Sequence, residues 1–178
     1  MQCGRHRQRG GNCHEPRIET GVRYLKCGDS IRSSETRFAF ISMKQINSFF
    51  LAGIIQGSNK GKILHNQNYR QEIKAILKKY FPKSQIVDPV NVHPNSVEYD
   101  YKTGESVFHE SIKQATQCDC LIAYLPEASM GTAIEMWECY KKKIPVWTIT
   151  FMKENWSVKF LSTEIFESLE EFERFLRR

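Results

Sequence analysis

One stretch, residues 121–140 (LIAYLPEASMGTAIEMWECY), limits the folds open to this chain more than any other. Its first five residues are apolar, short and β-rich enough for a buried strand. Pro126, Glu127, Ala128 and Ser129 break the run. From Gly131 and Thr132 the pattern turns helical, and Ala133, Met136, Trp137 and Tyr140 are predicted to share the inward face. Strand, tight loop and helix form the unit that α/β proteins repeat, and such proteins bind ligands beyond the strand's carboxyl end, against the helix N-terminus. One acid, Glu135, interrupts the apolar pattern. It is expected in the first helical turn, where the helix dipole favours a charged carboxylate. It reads either as a helix-stabilising residue or as a functional acid. The small and hydroxyl residues of the preceding loop favour the second reading.

The same alternation extends through the chain. Residues 48–55 (SFFLAGII) are apolar throughout, as in a central strand. Gly53, Gly57, Ser58 and Gly61 follow, a loop whose backbone N–H groups can approach a ligand. GSNKGK at 57–62 is one residue short of a P-loop and has Ile63 where Ser or Thr would bind magnesium, so an ATPase is excluded. Residues 65–80 predict an amphipathic helix with Tyr69, Ile73, Ile76, Leu77 and Tyr80 inward, and 85–88 a short strand. Residues 89–103 predict a long loop, either a surface excursion or a lid placing His93, Tyr99 and Tyr101 near a base or sugar. A helix over 105–117 turns Val107, Phe108, Ile112 and Ala115 inward. A strand over 120–125, a helix over 131–143 and a strand over 144–150 come next, then a loop over 151–157 carrying Trp156. A strand over 164–166 and a helix over 168–177 with Ser168 as N-cap close the chain. The expected fold is α/β, a flavodoxin- or Rossmann-like three-layer sandwich. Its mostly parallel five-stranded sheet has the order 2-1-3-4-5, with helices on both faces. The switch point then lies between the first and third strands, bringing the first glycine loop beside Ser129 and Glu135.

Charge is unevenly spread. Residues 1–42 hold 8 Lys+Arg against 4 Asp+Glu, while the remaining 136 residues hold 18 against 16. The domain expected over 43–178 is therefore near neutral, which argues against nucleic acid as a partner. The first 42 residues lack periodicity and read as a disordered or non-native extension, the alternative being a basic arm for nucleic acid. Met43 directly precedes the first domain-like pattern and is a candidate natural start. No apolar run is long enough to span a membrane, and no secretory signal follows the basic N-terminus, so a cytoplasmic protein with no membrane partner is expected. The six cysteines show no C-x-x-C spacing, so no metal site is expected, and Cys118 and Cys120 are expected to be reduced and packed.

The two loops together offer backbone donors, the Ser129 and Thr132 hydroxyls, a helix N-terminus and one carboxylate. The donors suit a phosphate or sugar hydroxyls. The carboxylate suits attack on an electrophilic carbon or stabilisation of an oxocarbenium ion. FLAGII with its glycine loop, CDCLIAYLP, SMGTAIEM and KKIPVWTI resemble the nucleoside 2-deoxyribosyltransferase superfamily over about residues 47–150. That superfamily includes the 2′-deoxynucleoside 5′-monophosphate N-hydrolases and the CMP N-glycosidases.

The resemblance implies that Glu135 is the catalytic nucleophile, attacking the anomeric carbon and displacing the base with no cofactor or metal. It implies a substrate-binding set of Gly53, Ile55, Gln56, Gly57, Ser58, Asp88, Ser111, Ser129, Met130, Gly131 and Thr132, and a nucleotide or nucleoside as the small-molecule partner. Six residues before the nucleophile, the transferases tend to have Asp on the sugar 5′-hydroxyl and the monophosphate hydrolases Ser on the 5′-phosphate. Ser129 implies a nucleotide, because a hydroxyl donates to a phosphate that a carboxylate repels. Phe50 stands where many relatives have a Tyr bonded to the nucleophile, Ser111 where they often have Asp, and Gln56 where the hydrolases commonly have Arg. Asp88 and Glu110 are the acids expected to stand in. The resemblance also implies a homo-oligomer whose neighbouring subunit helps close the pocket. Hydrolysis of a nucleoside 5′-monophosphate, base exchange, and nucleotide binding without catalysis all fit these residues.

Overall fold

Two strands rich in large apolar side chains fix the architecture, because alternate residues bury on opposite faces. The computed structural model describes residues 46–57 and 61–178. The N-terminal extension, Met43 and Ser58 lie outside the described residues. Strand β1 (Ser48–Gly53) turns Phe49 and Leu51 to one side and Phe50 and Ala52 to the other. Strand β3 (Cys120–Tyr124) repeats this with Cys120 and Ile122 against Leu121 and Ala123. Both strands are central and buried on both faces, as parallel strands covered by helices must be.

Strands β2 (Gln85–Val87), β4 (Val146–Ile149) and β5 (Glu164–Phe166) complete a five-stranded sheet of order β2-β1-β3-β4-β5, every pair parallel. This is the predicted order. Helices α1 (Tyr69–Tyr80) and α6 (Leu169–Leu176) cover one face, where Tyr69, Ile73 and Leu77 meet Phe49, Trp147, Phe172 and Leu176. Helices α3 (Tyr101–Ala115), α4 (Met130–Lys141) and α5 (Trp156–Leu161) cover the other, where Ala115, Met136, Cys139 and Val158 meet Phe50 and Leu121. Between β2 and α3, α2 (Pro89–Val92) and a 3-10 turn (Ser96–Glu98) occupy the stretch predicted as a loop. Cys118, Cys120 and Cys139 are buried free thiols. Among the described residues, no helix is long and apolar enough to cross a membrane.

The central strands are locked together at their amino ends. Asp119 Oδ2 accepts from the Asn47 and Ser48 backbone N–H groups at 2.9 Å each and from Ser48 Oγ at 3.0 Å. The Asp119 N–H donates back to Ser48 Oγ at 2.9 Å. With this end closed, the opposite, carboxyl end is where β1 and β3 diverge into loops.

Three local expectations need correction. The buried face of α4 is Thr132, Met136 and Cys139; Trp137 and Tyr140 are 49% and 39% exposed and stack on each other. The face is rotated because packing against β1 and β3 selects the side that carries Thr132. The loop expected over 151–157 ends early: helix α5 starts at Trp156, with Asn155 Oδ1 accepting from the Ser157 N–H. Its Trp156 and Phe160 are exposed, which hid the helical period. Phe108, expected inward, is 44% exposed because its side of α3 faces the cavity described below.

Candidate active site

At the carboxyl ends of β1 and β3 the sheet opens into a cavity of about 480 Å³. Its walls are the end of β1, the loop that follows, the α2 segment, the inner side of α3 and the start of α4. Gly53, Ile55, Gln56, Gly57, Ser111, Ser129, Met130, Gly131, Thr132 and Glu135 all line it. His93 and Tyr99 line it too, with His93 Nδ1 3.1 Å from the Tyr99 hydroxyl. Tyr101 is 84% exposed and does not line it.

Two glycines shape the floor. A Cβ on Gly53 would lie 2.4 Å from the Tyr69 hydroxyl, which is buried and donates to the Ile54 carbonyl. Gly57 has φ +56°, and a Cβ there would lie 2.4 Å from Ile54 Cδ1. Only glycine meets that turn without strain. The loop is pinned by Gln56 Nε2 donating to the Gly61 carbonyl at 2.8 Å and the His65 N–H donating to the Ile55 carbonyl at 2.8 Å.

Helix α4 begins with Ser129 as its N-cap. Ser129 Oγ accepts from the Thr132 N–H at 3.5 Å and from the Thr132 hydroxyl at 3.1 Å. Both accepting positions of this oxygen are thus used, and its own proton is left to donate. The N–H groups of Met130 and Gly131, the first two of the helix, have no intrahelical acceptor. The cavity wall here is a cluster of donors at a positive helix end.

Glu135 is the sixth residue of α4, in its second turn rather than its first. The dipole's influence fades within the first turn. Among the described residues, no hydrogen-bond donor reaches the Glu135 carboxylate. Burial therefore dominates and pushes its carboxyl from 4.5 up to about 7, with the Arg70 guanidinium opposing the rise. The expectation of a fully ionised carboxylate at neutral pH is corrected accordingly.

Asp88 does not line the cavity. It is buried, paired with Arg70 Nη1 at 2.9 Å and with Lys74, and caps α2 by accepting from the Val90 N–H at 3.2 Å. Glu110 points away from the cavity, bonded to Gln114 and near Lys113. Neither expected substitute acid reaches the cavity. Phe50 is fully buried in the core. Among the described residues, no three His, Cys, Asp or Glu side chains converge as metal ligands.

Arg70, Pro89, Val90, Val97, Val107 and Phe108 line the cavity without having been predicted as site residues. Arg70 was detectable. It falls on the same face of α1 as Ile73 and Leu77, and a charged residue on a buried face is the informative exception. The apolar residues carried no such signal, because they look like ordinary core.

No family model and no curated protein matches the chain. Solved structures that share its fold include these two. One is a 2-deoxyribosyltransferase from the psychrotolerant bacterium Bacillus psychrosaccharolyticus, 16% identical, aligned over 71% of this chain and 90% of that one with a TM-score of 0.55. The other is a conserved protein from Enterococcus faecalis V583, 16% identical, aligned over 74% and 98% with a TM-score of 0.51. At such identities the likeness is one of fold.

The raised Glu135 carboxyl predicts a pH-dependent cost to stability. In the unfolded chain the group titrates near 4.5 and in the folded chain near 7. The folded state holds the proton more tightly, so stability is greatest below the lower value, falls as pH rises between the two, and stays reduced above. Glu135→Gln removes this cost. Its Tm is expected to exceed that of the parent by about 7–13 °C at pH 8 and to come within about 1–2 °C of it near pH 4.5, as scanning calorimetry would check.

Proposed function

We propose that this protein cleaves the N-glycosidic bond of a nucleoside 5′-monophosphate. Glu135 attacks the anomeric carbon, the base leaves with the electron pair of the broken bond, and a glycosyl-enzyme intermediate forms. Water then resolves it. The observation that carries this reading is one carboxylate and one cluster of anion-binding donors in the same cavity, five residues apart in the α4 segment. The carboxylate supplies the nucleophile and stabilises positive charge developing on the sugar. Ser129 O–H and the Met130 and Gly131 N–H groups supply donors for a phosphate. The apolar wall of Val97, Val107 and Phe108, with His93 and Tyr99, suits a planar base.

Base exchange is a second reading, favoured by the shared fold with a 2-deoxyribosyltransferase. A second base in place of water would resolve the same intermediate, so a free labelled base appearing in nucleotide product would select it. A homo-oligomer also belongs to the proposal. Met130, Ile134 and Trp137 form an exposed apolar stripe on α4 that starts at the cavity rim. Sedimentation velocity of the full chain is expected to show a dimer or larger, and a monomer at micromolar concentration would remove that part. Cytoplasmic location is likewise proposed, on the buried free thiols.

Turnover of a nucleotide panel, followed by free base, tests the reaction. Base release is expected to rise with pH through about 7, where Glu135 loses its proton, and to level off above. Glu135→Gln should lower turnover on the order of a thousandfold or more while nucleotide affinity stays within about tenfold. Base release at the parent rate would exclude Glu135 as nucleophile.

Ser129→Asp tests the phosphate. The new carboxylate caps α4 as well as serine does but repels a phosphate. The variant should lose on the order of tenfold to a thousandfold in kcat/KM for monophosphates, with a much smaller loss for nucleosides. Equal losses for both would place the phosphate elsewhere.

A further inference from the structure

We propose that Arg70 is the positioning residue that sets the charge of Glu135, and that Asp88 tunes it from behind the cavity wall. This inference rests on Glu135 being the reactive carboxylate.

Arg70 is 3% exposed on α1. Its Nε donates to Gln67 Oε1 at 2.7 Å, and its Nη1 donates to the Leu51 carbonyl and to Asp88 Oδ1 at 2.9 Å each. Nη2 reaches the Gly53 carbonyl only at 3.5 Å. Of five N–H donors, three are firmly committed, and those on Nη2 retain capacity. Arg70 and Glu135 line the same cavity.

The charge count points the same way. Asp88 is paired with two cations, Arg70 and Lys74, and the side chains of Asp88 and Arg70 are 2% and 4% exposed. One carboxylate between two buried or half-buried cations leaves an excess of one positive charge. A pair serving stability alone would be complete with Asp88 and one cation, and an unmatched buried charge is costly. The ionised Glu135 balances the set at two cations and two anions.

The other groups around Glu135 do not supply this field. On α4 the Cys139 thiol is pushed up to about 12, first by burial and then by Glu135 itself, so it stays protonated. Glu138, also on α4, is committed to Lys141 at 2.7 Å. The α2 segment and the turn after it bring His93 and Tyr99, hydrogen-bonded to each other, and α3 brings the uncharged Ser111. Arg70 is the cation that holds down the rise of the Glu135 carboxyl.

The test is the titration of Glu135 itself, followed by carbon-13 NMR of side-chain-labelled glutamate in the full chain, with Glu135→Gln assigning the signal. Arg70→Gln keeps two N–H donors and removes the charge. Its Glu135 midpoint should rise by about one pH unit or more, and the acid limb of base release should move with it. Asp88→Asn keeps an oxygen for Arg70 and Val90 but unmasks the cation, so the midpoint should fall. An unchanged midpoint in Arg70→Gln, or no fall in Asp88→Asn, overturns the inference. If Arg70→Gln does not fold, Asp88→Asn decides alone. The titration needs no turnover, so it separates two failures. Midpoints that move as stated in a protein that releases no base would sink the hydrolase reading and leave the Arg70 assignment standing. Base release that requires Glu135, with midpoints that stay put, would do the reverse.

Discussion

In the proposed reaction Glu135 must be charged to attack, yet it stands where burial opposes its charge. The opposition between burial and the Arg70 guanidinium governs the site. Burial alone raises the Glu135 carboxyl, and a fully compensated carboxylate would be a poor nucleophile because it would be too well stabilised. Burial lifts the Glu135 carboxyl to about 7, into the range where a nearby cation decides its charge at neutral pH. Each half of the balance comes from a different part of the chain: burial from α4 against the sheet, the cation from α1. The doubly wound topology brings α1 and α4 to the same end of the sheet by placing β1 beside β3.

In the proposed reaction the same arrangement separates attack from anchoring. Ser129 ends the β3–α4 loop in extended conformation and starts α4 as its cap. The donors it gathers stand one and a half turns before Glu135 on the same helix. A rigid helix therefore fixes the distance between an anion held at its start and the carboxylate further along it. Positioning of this kind is where catalytic sites gain much of their rate. On the α3 side of the cavity Val107 and Phe108 face in beside the Ser111 hydroxyl, so that wall is mainly apolar where the α4 end is rich in donors.

The fold was readable in the sequence because its central strands are long uninterrupted apolar runs and its helices sit at regular intervals between them. Phe49 to Ala52 and Leu121 to Ala123 could only be buried on both faces. The loop–helix unit at Ser129 to Glu135 was readable for the same reason: small residues and a cap directly precede a helix. What escaped was set by tertiary contact. The inward face of α4 depends on which side meets β1, so Trp137 and Tyr140 were misplaced. Asp88 resembled a site acid in sequence, but two cations and the α2 cap hold it behind the wall. The ionisation of Glu135 was misjudged because it lies in the second turn of α4, where the dipole has faded, and the burial that takes over depends on the whole cavity. Arg70 lay in plain view on a buried helical face. Its role rests on Lys74, one turn further along α1, and on Asp88, distant in sequence though near in space.

The central claim is that Glu135 bonds covalently to the sugar. Acid-quenching the protein during turnover of a nucleoside monophosphate, followed by peptide mass spectrometry, tests it most directly. The account predicts a sugar-phosphate adduct on the peptide that carries Glu135, absent when base is omitted from the leaving position or when Glu135 is replaced by Gln. Rapid base release with no adduct on that peptide, or with an adduct on another acid, would contradict it.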